Sequence, residues 1–322
     1  MEITIPTSQQ VTGESSLQIF KTFGLTAAPT DLAALQYCWV FPRGKTIENK
    51  RSGSYYIQLD NSSNLMDAPI ISTTGERSYL YLSNPNGGVR PIIPASETEK
   101  ITPTSTRILE IEGRGSVQIV TFGEYPQKIA DSKTQSQLNT LYFAGLKLKD
   151  RIYSTQNQTT IFTASFQKGS YAANGSPLKK TLQKFTLNDR IPNSYDGSFL
   201  PRIYRVYRLE DKKYIYFSPL NTDDTVILSS GAKIPNTKIP VWVEVQPIKW
   251  LVDPSGPWVA KDILFSNIQM DDKSFQQRTG LFKKSSLCAF LKDTFATEIL
   301  PPVRIARHRK TIRTNTSRQR NG

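Results

Sequence analysis

The sequence predicts an α+β protein of short, mostly antiparallel strands, two or three helices and long surface loops. Strand signals dominate, because apolar and polar residues alternate over 77–83 and over 107–122. Helix signals are few, and residues 153–200 form one long stretch rich in Ser, Thr, Asn, Gln and Gly. A loop of that length in a compact protein is usually functional or an insertion. No short repeat recurs along the chain, which argues against a solenoid or a propeller.

Three segments carry helix signals. Within 28–37, Thr30 is the expected N-cap, and Asp31 places a negative charge in the first turn, where the helix dipole favours it. Residues 132–148 also favour a helix, although its early turns are wholly polar. The strongest signal spans 285–300, where apolar residues recur at spacings of three and four and predict a core-facing stripe. Its cap and its stripe are Ser285 or Ser286, Leu287, Phe290, Leu291, Phe295 and Ile299.

Two hairpins follow from turn residues between alternating segments. Residues 107–122 are expected to fold back at Gly113 to Gly115, since glycine accepts the backbone conformation that a tight hairpin needs. Residues 202–219 form the second hairpin, which turns near Glu210. The tyrosines and cations of this second hairpin could stack nucleic-acid bases, or the tyrosines could serve as core or rim residues of the sheet.

Further strands are predicted around two prolines. The segment 238–253 should form two short strands broken at Pro247, because proline cannot donate to a central ladder and is expected at an edge or a bend. The stretch VTFGEYPQ, residues 120–127, leaves the first hairpin as a strand that should end in a corner at Pro126. Residues 263–270 predict one more short apolar strand.

The chain is expected to divide into three parts. Pro, Ser and Thr cluster at 97–106, which separates an N-terminal α+β segment, 1–105, from a β-rich segment, 106–300. A basic tail, 301–322, follows a Pro-Pro pair that cannot continue the preceding helix. No apolar run reaches the roughly 18 residues of a membrane helix, and no secretory signal is seen. The expected location is therefore the cytoplasm or a virion.

The inventory of reactive residues argues against an enzyme. The one histidine, His308, lies in the basic tail, which excludes Ser-His-Asp triads and histidine-rich zinc sites. Cys38 and Cys288 have no metal or redox spacing and are expected to be small core residues, with a long-range disulfide as the alternative. No catalytic residue, metal or cofactor is assigned. Several carboxylates remain, each expected on the surface: Glu110, Glu112, Glu244, Asp271 and Asp272.

Positive charge is concentrated at the C-terminus. The formal net charge is +14, and residues 301–322 contribute seven cations and no acid, which leaves +7 (14 − 7) on residues 1–300. Guanidinium groups match phosphate geometry and release counterions, so the tail is a hypothesis for nucleic-acid contact. The alternatives are a solubilising tail or an arm that docks on a neighbouring subunit of a homo-oligomer. The cations are Arg304, Arg307, Arg309, Lys310, Arg313, Arg318 and Arg320.

Four motifs together resemble a known group of proteins. They are GGVRPIIP at 87–94, FGEYPQ at 122–127, VEVQPIKWLVD at 243–253 and ILFSNIQMDD at 263–272. This set resembles uncharacterised bacterial and phage proteins with domains related to the formylglycine-generating-enzyme branch of the C-type-lectin-like fold. It covers about a quarter of the chain at scattered points. The matching residues are Gly88, Val89, Arg90, Pro91, Phe122, Gly123, Tyr125, Pro126, Gln127, Pro247, Ile248, Trp250 and Val252, with 287–295 matching a helix.

The resemblance implies a scaffold without the oxidising activity of the enzyme branch. That activity would need a close cysteine pair near the GVRP turn, where this chain has Pro91 and Ile92. The GVRP motif also precedes FGEYPQ here, whereas it follows it in the group. The implied core is C-type-lectin-like (sulfatase-modifying-factor-like).

Within such a scaffold, Gly88 would relieve a positive φ or a close approach, and Arg90 would bond carbonyls across loops. Tyr125 and Trp250 would supply large core surfaces.

The sequence therefore predicts a non-enzymatic binding or structural module. Loops within 153–200 would contact a protein partner or a glycan, since rigid sheets that carry variable loops suit recognition. A phage virion or a displayed component is the implied setting. The alternative is a nucleic-acid-associated structural protein that binds through its Arg-rich tail.

Overall fold

The computed structural model describes residues 1–36, 40–41, 52–58, 65–82, 84, 86–148, 183–186, 205–217, 225–227, 233–235 and 241–301. Within them the fold is mixed α+β, with mostly antiparallel sheets and few helices, which confirms the predicted class. The predictions for Cys38, for nearly all of the 153–200 loop and for the basic tail beyond Pro301 lie outside the described residues.

The largest sheet has eight strands and is organised around β14 (Val241–Val252). One side of β14 pairs with β8 (Gly115–Ile129), and the opposite side pairs first with β11 (Lys212–Phe217) and then with β15 (Trp258–Ala260). The remaining strands of this sheet are β6 (Ile92–Ile93), β7 (Ser105–Ile111), β9 (Gln183–Thr186) and β10 (Arg205–Leu209).

Three smaller sheets complete the strands. A three-stranded sheet has the order β3 (Tyr55–Tyr56), β4 (Asp67–Ile71), β5 (Arg77–Tyr81). A parallel bridge between Tyr55 and Gly88 connects it to the GVRP segment. The two others are two-stranded. Their strands are β1 (Val40–Phe41), β2 (Ser52–Gly53), β3 (Tyr55–Tyr56), β4 (Asp67–Ile71), β5 (Arg77–Tyr81), β12 (Thr225–Ile227) and β13 (Lys233–Pro235).

Both predicted hairpins are confirmed. Strands β7 and β8 pair antiparallel, and the turn between them places Gly113 at φ +71°. Strands β10 and β11 pair in the same way, with Glu210 at φ +58° in the turn. The turn residues therefore mark both reversals of the chain correctly.

The three predicted helices are confirmed, and local capping accounts for two of them. The Thr30 hydroxyl accepts a hydrogen bond from Ala33 N at 3.1 Å, and the Ser285 hydroxyl accepts one from Cys288 N at 3.2 Å. Ser285, rather than Ser286, is thus the cap of the C-terminal helix, which continues as a π-helix over Leu291–Ile299. The α-helices are α1 (Ser8–Thr12), α2 (Gln18–Phe23), α3 (Asp31–Leu35), α4 (Ala95–Thr98), α5 (Ser132–Leu148) and α6 (Ser286–Phe290).

The main core joins both ends of the described chain. Ile5 and Leu32 from the N-terminal region pack in one cluster with Trp250 of β14 and Phe295 of the C-terminal helix. A second cluster contains side chains of α2 together with side chains of β6, β8, β14 and β15. A third surrounds Trp242, where β14 meets the β10–β11 hairpin.

Two predictions about proline are wrong. Pro247 lies inside the continuous central strand β14, and Pro126 does not end β8, which runs on to Ile129. The reason is a pair of β-bulges: Phe122 and Gly123 together oppose Ile248, and an extra residue in β8 shifts the register again between Glu244 and Val245. At a bulge the ladder is already interrupted, so a proline removes less hydrogen bonding than it would in a regular strand.

The predicted strand at 263–270 is also wrong. This segment forms only isolated bridges, Pro29 with Ile263 and Val89 with Phe265. It therefore runs between two different neighbours and follows neither for long, and Asn267 adopts a positive φ of 59°. Its apolar character reflects burial, since its five apolar residues are almost fully inaccessible: Ile263, Leu264, Phe265, Ile268 and Met270.

Candidate functional site

The GVRP segment is buried between the three-stranded sheet and the segment around Phe265. Gly88 N donates to the carbonyl of Ser54 at 3.0 Å, and the carbonyl of Gly88 accepts from Tyr56 N at 2.9 Å. The neighbouring Gly87 makes a close approach, because an added Cβ there would overlap the Tyr56 ring. Gly88 is not among the positive-φ glycines of the described residues.

Arg90 is the buried cation of this segment, with 1% of its surface exposed. Its Nε donates to the carbonyl of Ala260 at 2.9 Å, and one terminal nitrogen donates to the Tyr55 hydroxyl at 3.3 Å. The guanidinium also lies over the Phe20 ring, 5.3 Å from its centroid. Burial raises the pKa of Tyr55, although the charge of Arg90 opposes that rise. Arg90 therefore joins α2, β3 and β15.

The FGEYPQ and PIKW motifs meet where β8 pairs with β14. The Trp250 indole N–H donates to the carbonyl of Phe122 at 2.9 Å. Gln127 donates its amide to the carbonyls of Gln246 and Pro247 at 2.8 and 3.1 Å. These contacts satisfy backbone groups that the bulges leave outside the ladder.

Aromatic packing and an ion pair also stabilise this paired region of β8 and β14. The buried ring of Tyr125 lies 5.6 Å from that of Phe265 and 6.0 Å from that of Phe295. Glu124 forms an ion pair with Lys213 on β11. The motif residues thus build the scaffold and leave little surface for a ligand.

Two tyrosines of the β10–β11 hairpin, Tyr207 and Tyr214, are core residues. Tyr207 and Tyr214 are buried, and the Tyr207 ring meets Trp242 edge-on at 5.4 Å. Burial, followed by the negative charge of Glu244, raises the pKa of Tyr214 to about 12. These two rings are therefore not available to stack on nucleic-acid bases.

Three of the carboxylates considered as acid or base groups make structural contacts: Glu244, Asp271 and Asp272. The predicted surface position is wrong for Asp271, which is buried. Asp271 and Asp272 both accept from the Ser286 hydroxyl, the first at 3.1 Å, at the start of α6. Glu244 lies 3.2 Å from the ammonium of Lys212. Among the described residues, no three His, Cys, Asp or Glu side chains are grouped closely enough to hold a metal ion. None of the described helices has the length and apolar character that crossing a bilayer requires.

The predicted nucleic-acid contacts of the tail cannot be placed on this fold. They lie beyond the last described residue, Pro301. The residues concerned are Arg304, Arg307, Arg309, Lys310, Arg313, Arg318 and Arg320.

One exposed surface stands out at strand β5, and we name it the tyrosine edge: Arg77, Tyr79 and Tyr81. The two tyrosines are 57% and 64% exposed, and the Arg77 guanidinium lies over the Tyr79 ring, 5.8 Å from its centroid. Met66, 55% exposed, lies beside the end of this strand, where its carbonyl accepts from Leu82 N. Of the large apolar side chains exposed in the described chain, only Ile108 lies elsewhere.

Sequence reasoning missed this surface, although its pattern is visible in RSYLY. Alternation places Arg77, Tyr79 and Tyr81 on one face and the buried Leu80 on the other. An apolar face on each side of a strand normally indicates burial on both sides. In this fold β5 is the last strand of its sheet, and the side chains of Tyr79 and Tyr81 on it are exposed.

A comparison of the chain with models of protein families, with curated proteins and with solved structures finds no match.

Proposed function

We propose that the chain is a non-enzymatic recognition module, built on the C-type-lectin-like scaffold that its motifs resemble, which binds a protein partner through the tyrosine edge. The single observation that carries this proposal is the exposure of Tyr79 and Tyr81 side by side on a terminal strand. A contiguous exposed apolar patch rimmed by polar residues marks an interaction site. The bacterial cytoplasm or phage virion remains the proposed setting.

The residue types favour a protein over a glycan. Tyr, Met and Arg are enriched at protein interfaces, and Tyr and Arg are among the residues that contribute most of the binding energy. Arg77 is already stacked on Tyr79, so one of the two rings is held in place before a partner arrives.

The test compares capture of binding proteins by the immobilised chain and by a variant that combines Tyr79→Ala with Tyr81→Ala. We expect a specific protein to be retained by the original chain and lost from the variant. Ile108→Ala is the matched control, because Ile108 is an exposed residue on a different outer strand. Thermal melting must show that all variants are folded. Equal capture by the double variant, or binding only to a glycan array, would overturn the proposal.

A second candidate function follows from the basic tail: association with nucleic acid as a structural protein. The observation that favours it is the run of seven cations without an acid within 301–322. If the tail binds phosphates, the affinity for DNA or RNA should fall steeply as salt rises. Deletion of 303–322 should then remove most of the binding and flatten its salt dependence. Unchanged affinity after the deletion would exclude this function.

A further inference from the structure

An asparagine–glycine pair, Asn86 and Gly87, stands at the start of the GVRP segment. We propose that Asn86 is a site of spontaneous deamidation, and that the isoaspartate product releases the GVRP segment from the three-stranded sheet. The reaction needs water and no partner, so it is independent of the proposed function. Two features of the structure support it: the reacting groups are free of hydrogen bonds, and the chain is fixed on either side of them.

The reaction joins two neighbouring groups of the chain. The Gly87 nitrogen attacks Asn86 Cγ and forms a bond to it, the Cγ–Nδ2 bond breaks, and Nδ2 leaves as ammonia with the proton of the Gly87 N–H. Water then opens the resulting five-membered succinimide ring at one of its two carbonyls. Opening at Cγ gives aspartate, whereas opening at the main-chain carbonyl gives isoaspartate, in which the chain runs through Cβ and Cγ. Glycine favours the attack because it has no Cβ to obstruct it.

The group that is attacked has no hydrogen bond to lose. Asn86 is half-buried, and its side-chain amide makes no hydrogen bond to any part of the chain that the structure describes. Its backbone N–H is engaged instead, and donates to Asn84 Oδ1 at 2.9 Å. The Asn86 side chain can therefore turn toward Gly87 without breaking a hydrogen bond.

The attacking nitrogen is equally free. Gly87 is buried, yet its N–H donates no hydrogen bond to the described residues, whereas the next nitrogen, Gly88 N, donates to the carbonyl of Ser54 at 3.0 Å. The great majority of buried backbone N–H groups are paired, so Gly87 is an exception. A peptide nitrogen that donates a hydrogen bond must give it up before it can attack. Gly87 meets no such cost.

The chain is fixed on both sides of the pair. On the N-terminal side, the Asn84 carbonyl accepts from the Tyr56 hydroxyl. On the C-terminal side, the Gly87 carbonyl accepts from the Ser266 hydroxyl at 3.3 Å, and the Gly88 carbonyl accepts from Tyr56 N at 2.9 Å. Gly87 itself lies so close to the Tyr56 ring that an added Cβ would overlap it. Strand β3 thus contacts the chain before and after the reacting groups.

The two products should therefore differ in their effect. Isoaspartate inserts one methylene group into the backbone between Asn84 and Gly88, so the hydrogen bonds to Tyr56 on the two sides cannot both be kept. Aspartate leaves the backbone length unchanged and adds one negative charge to a half-buried position of a chain with a net charge of +14. We expect the isoaspartate form to lose the contacts with β3 and the aspartate form to keep them.

The first test follows deamidation of the intact chain in mildly alkaline buffer by mass spectrometry of the tryptic peptide 78–100. Deamidation adds about 1 Da, and fragmentation assigns it to a residue. Asn84 in the same peptide is the internal control, because the nitrogen that follows it belongs to Pro85 and carries no hydrogen. We expect modification at Asn86 alone, at a rate within roughly tenfold of that in the urea-unfolded chain, because no hydrogen bond must open first. A larger difference between the two rates overturns the proposed site.

The second test compares the stability of the products by urea denaturation. Asn86→Gln keeps an amide but closes a ring far more slowly, so it should stay unmodified and as stable as the original chain. Asn86→Asp reproduces the charge without the methylene and should also keep the original midpoint. The isoaspartate fraction, separated by ion exchange and identified by fragmentation, should unfold at a lower urea concentration. An isoaspartate fraction with the same midpoint as Asn86→Asp, whether that midpoint is the original one or a lowered one, overturns the release of the GVRP segment.

Discussion

Arg90 holds its place through a combination of contacts that only a guanidinium can make. It donates to the Ala260 carbonyl and to the Tyr55 hydroxyl, and its flat face covers the Phe20 ring. No carboxylate among the described residues forms an ion pair with it, so its charge is stabilised by hydrogen bonds and aromatic faces alone. A lysine has one compact, strongly hydrated ammonium and cannot reproduce this arrangement.

Arg90→Lys should therefore destabilise the chain strongly. We expect the free energy of unfolding to fall by about 2–4 kcal/mol, because the substitution leaves a buried charge with poorer hydrogen bonds. Arg107→Lys, at an exposed position of β7, should change it by less than about 0.5 kcal/mol. Urea denaturation measures both, and equal effects would contradict the assigned role of Arg90.

Alanine substitutions at Gly123 and Gly113 distinguish the cost of backbone strain from the cost of side-chain overlap. Both have positive φ, +76° and +71°, so alanine costs about 1 kcal/mol at either position. At Gly113 an added Cβ meets no atom within 4 Å, whereas at Gly123 it overlaps the Leu300 side chain and approaches Ile248 Cδ1 at 3.5 Å. Gly123→Ala should thus cost roughly 1–3 kcal/mol more than Gly113→Ala in urea denaturation. Equal losses would show that β8 and the C-terminal segment are loosely packed there.

At the scale of elements, Tyr214 of the β10–β11 hairpin makes the stability of the fold decrease as pH rises in the alkaline range. The pKa of Tyr214 rises from 10.0 to about 12 on folding, so the folded chain keeps a proton that the unfolded chain loses first. Its contribution is complete below pH 10 and is lost as pH rises toward 12. Denaturation midpoints measured between pH 8 and pH 12 should fall, and Tyr214→Phe should make the fall shallower. Tyr79→Phe, at an exposed ring, is the control, and an unchanged slope in Tyr214→Phe would refute the assignment.

The elements that local chemistry specifies were predictable, and those that depend on distant residues were not. Thr30 and Ser285 mark helix starts because a cap acts within three residues. The break predicted at Pro247 is wrong because the neighbours of Pro247 in sequence do not show that Gln127, 120 residues earlier, donates to its carbonyl. The tyrosine edge is not predictable from the sequence for the same reason. Alternation predicts the strand, but the order of strands in the sheet decides which strand is terminal.

On the scale of the whole molecule, contacts join the two ranges that the sequence analysis separates at residue 105. Ile93 of β6 pairs with Trp258 of β15. The buried carboxylate of Asp253 accepts from Ile19 N at 2.9 Å, and that of Asp31 accepts from Ile129 N at 3.0 Å. Each of these contacts satisfies a polar or apolar group that would otherwise be exposed or left without its partner.

A chain that begins at residue 106 should therefore fail to fold cooperatively. Asp253 would lose the N–H that it binds on α2, β15 would become an open edge, and Trp250 would lose Ile5 and Leu32 from its cluster. We expect the full chain to melt in one transition by circular dichroism, and the 106–322 fragment to show none and to bind a hydrophobic dye. A chain truncated after Pro301 is the control and should keep the transition. A sigmoidal melt of the 106–322 fragment would instead establish the second range as a domain of its own.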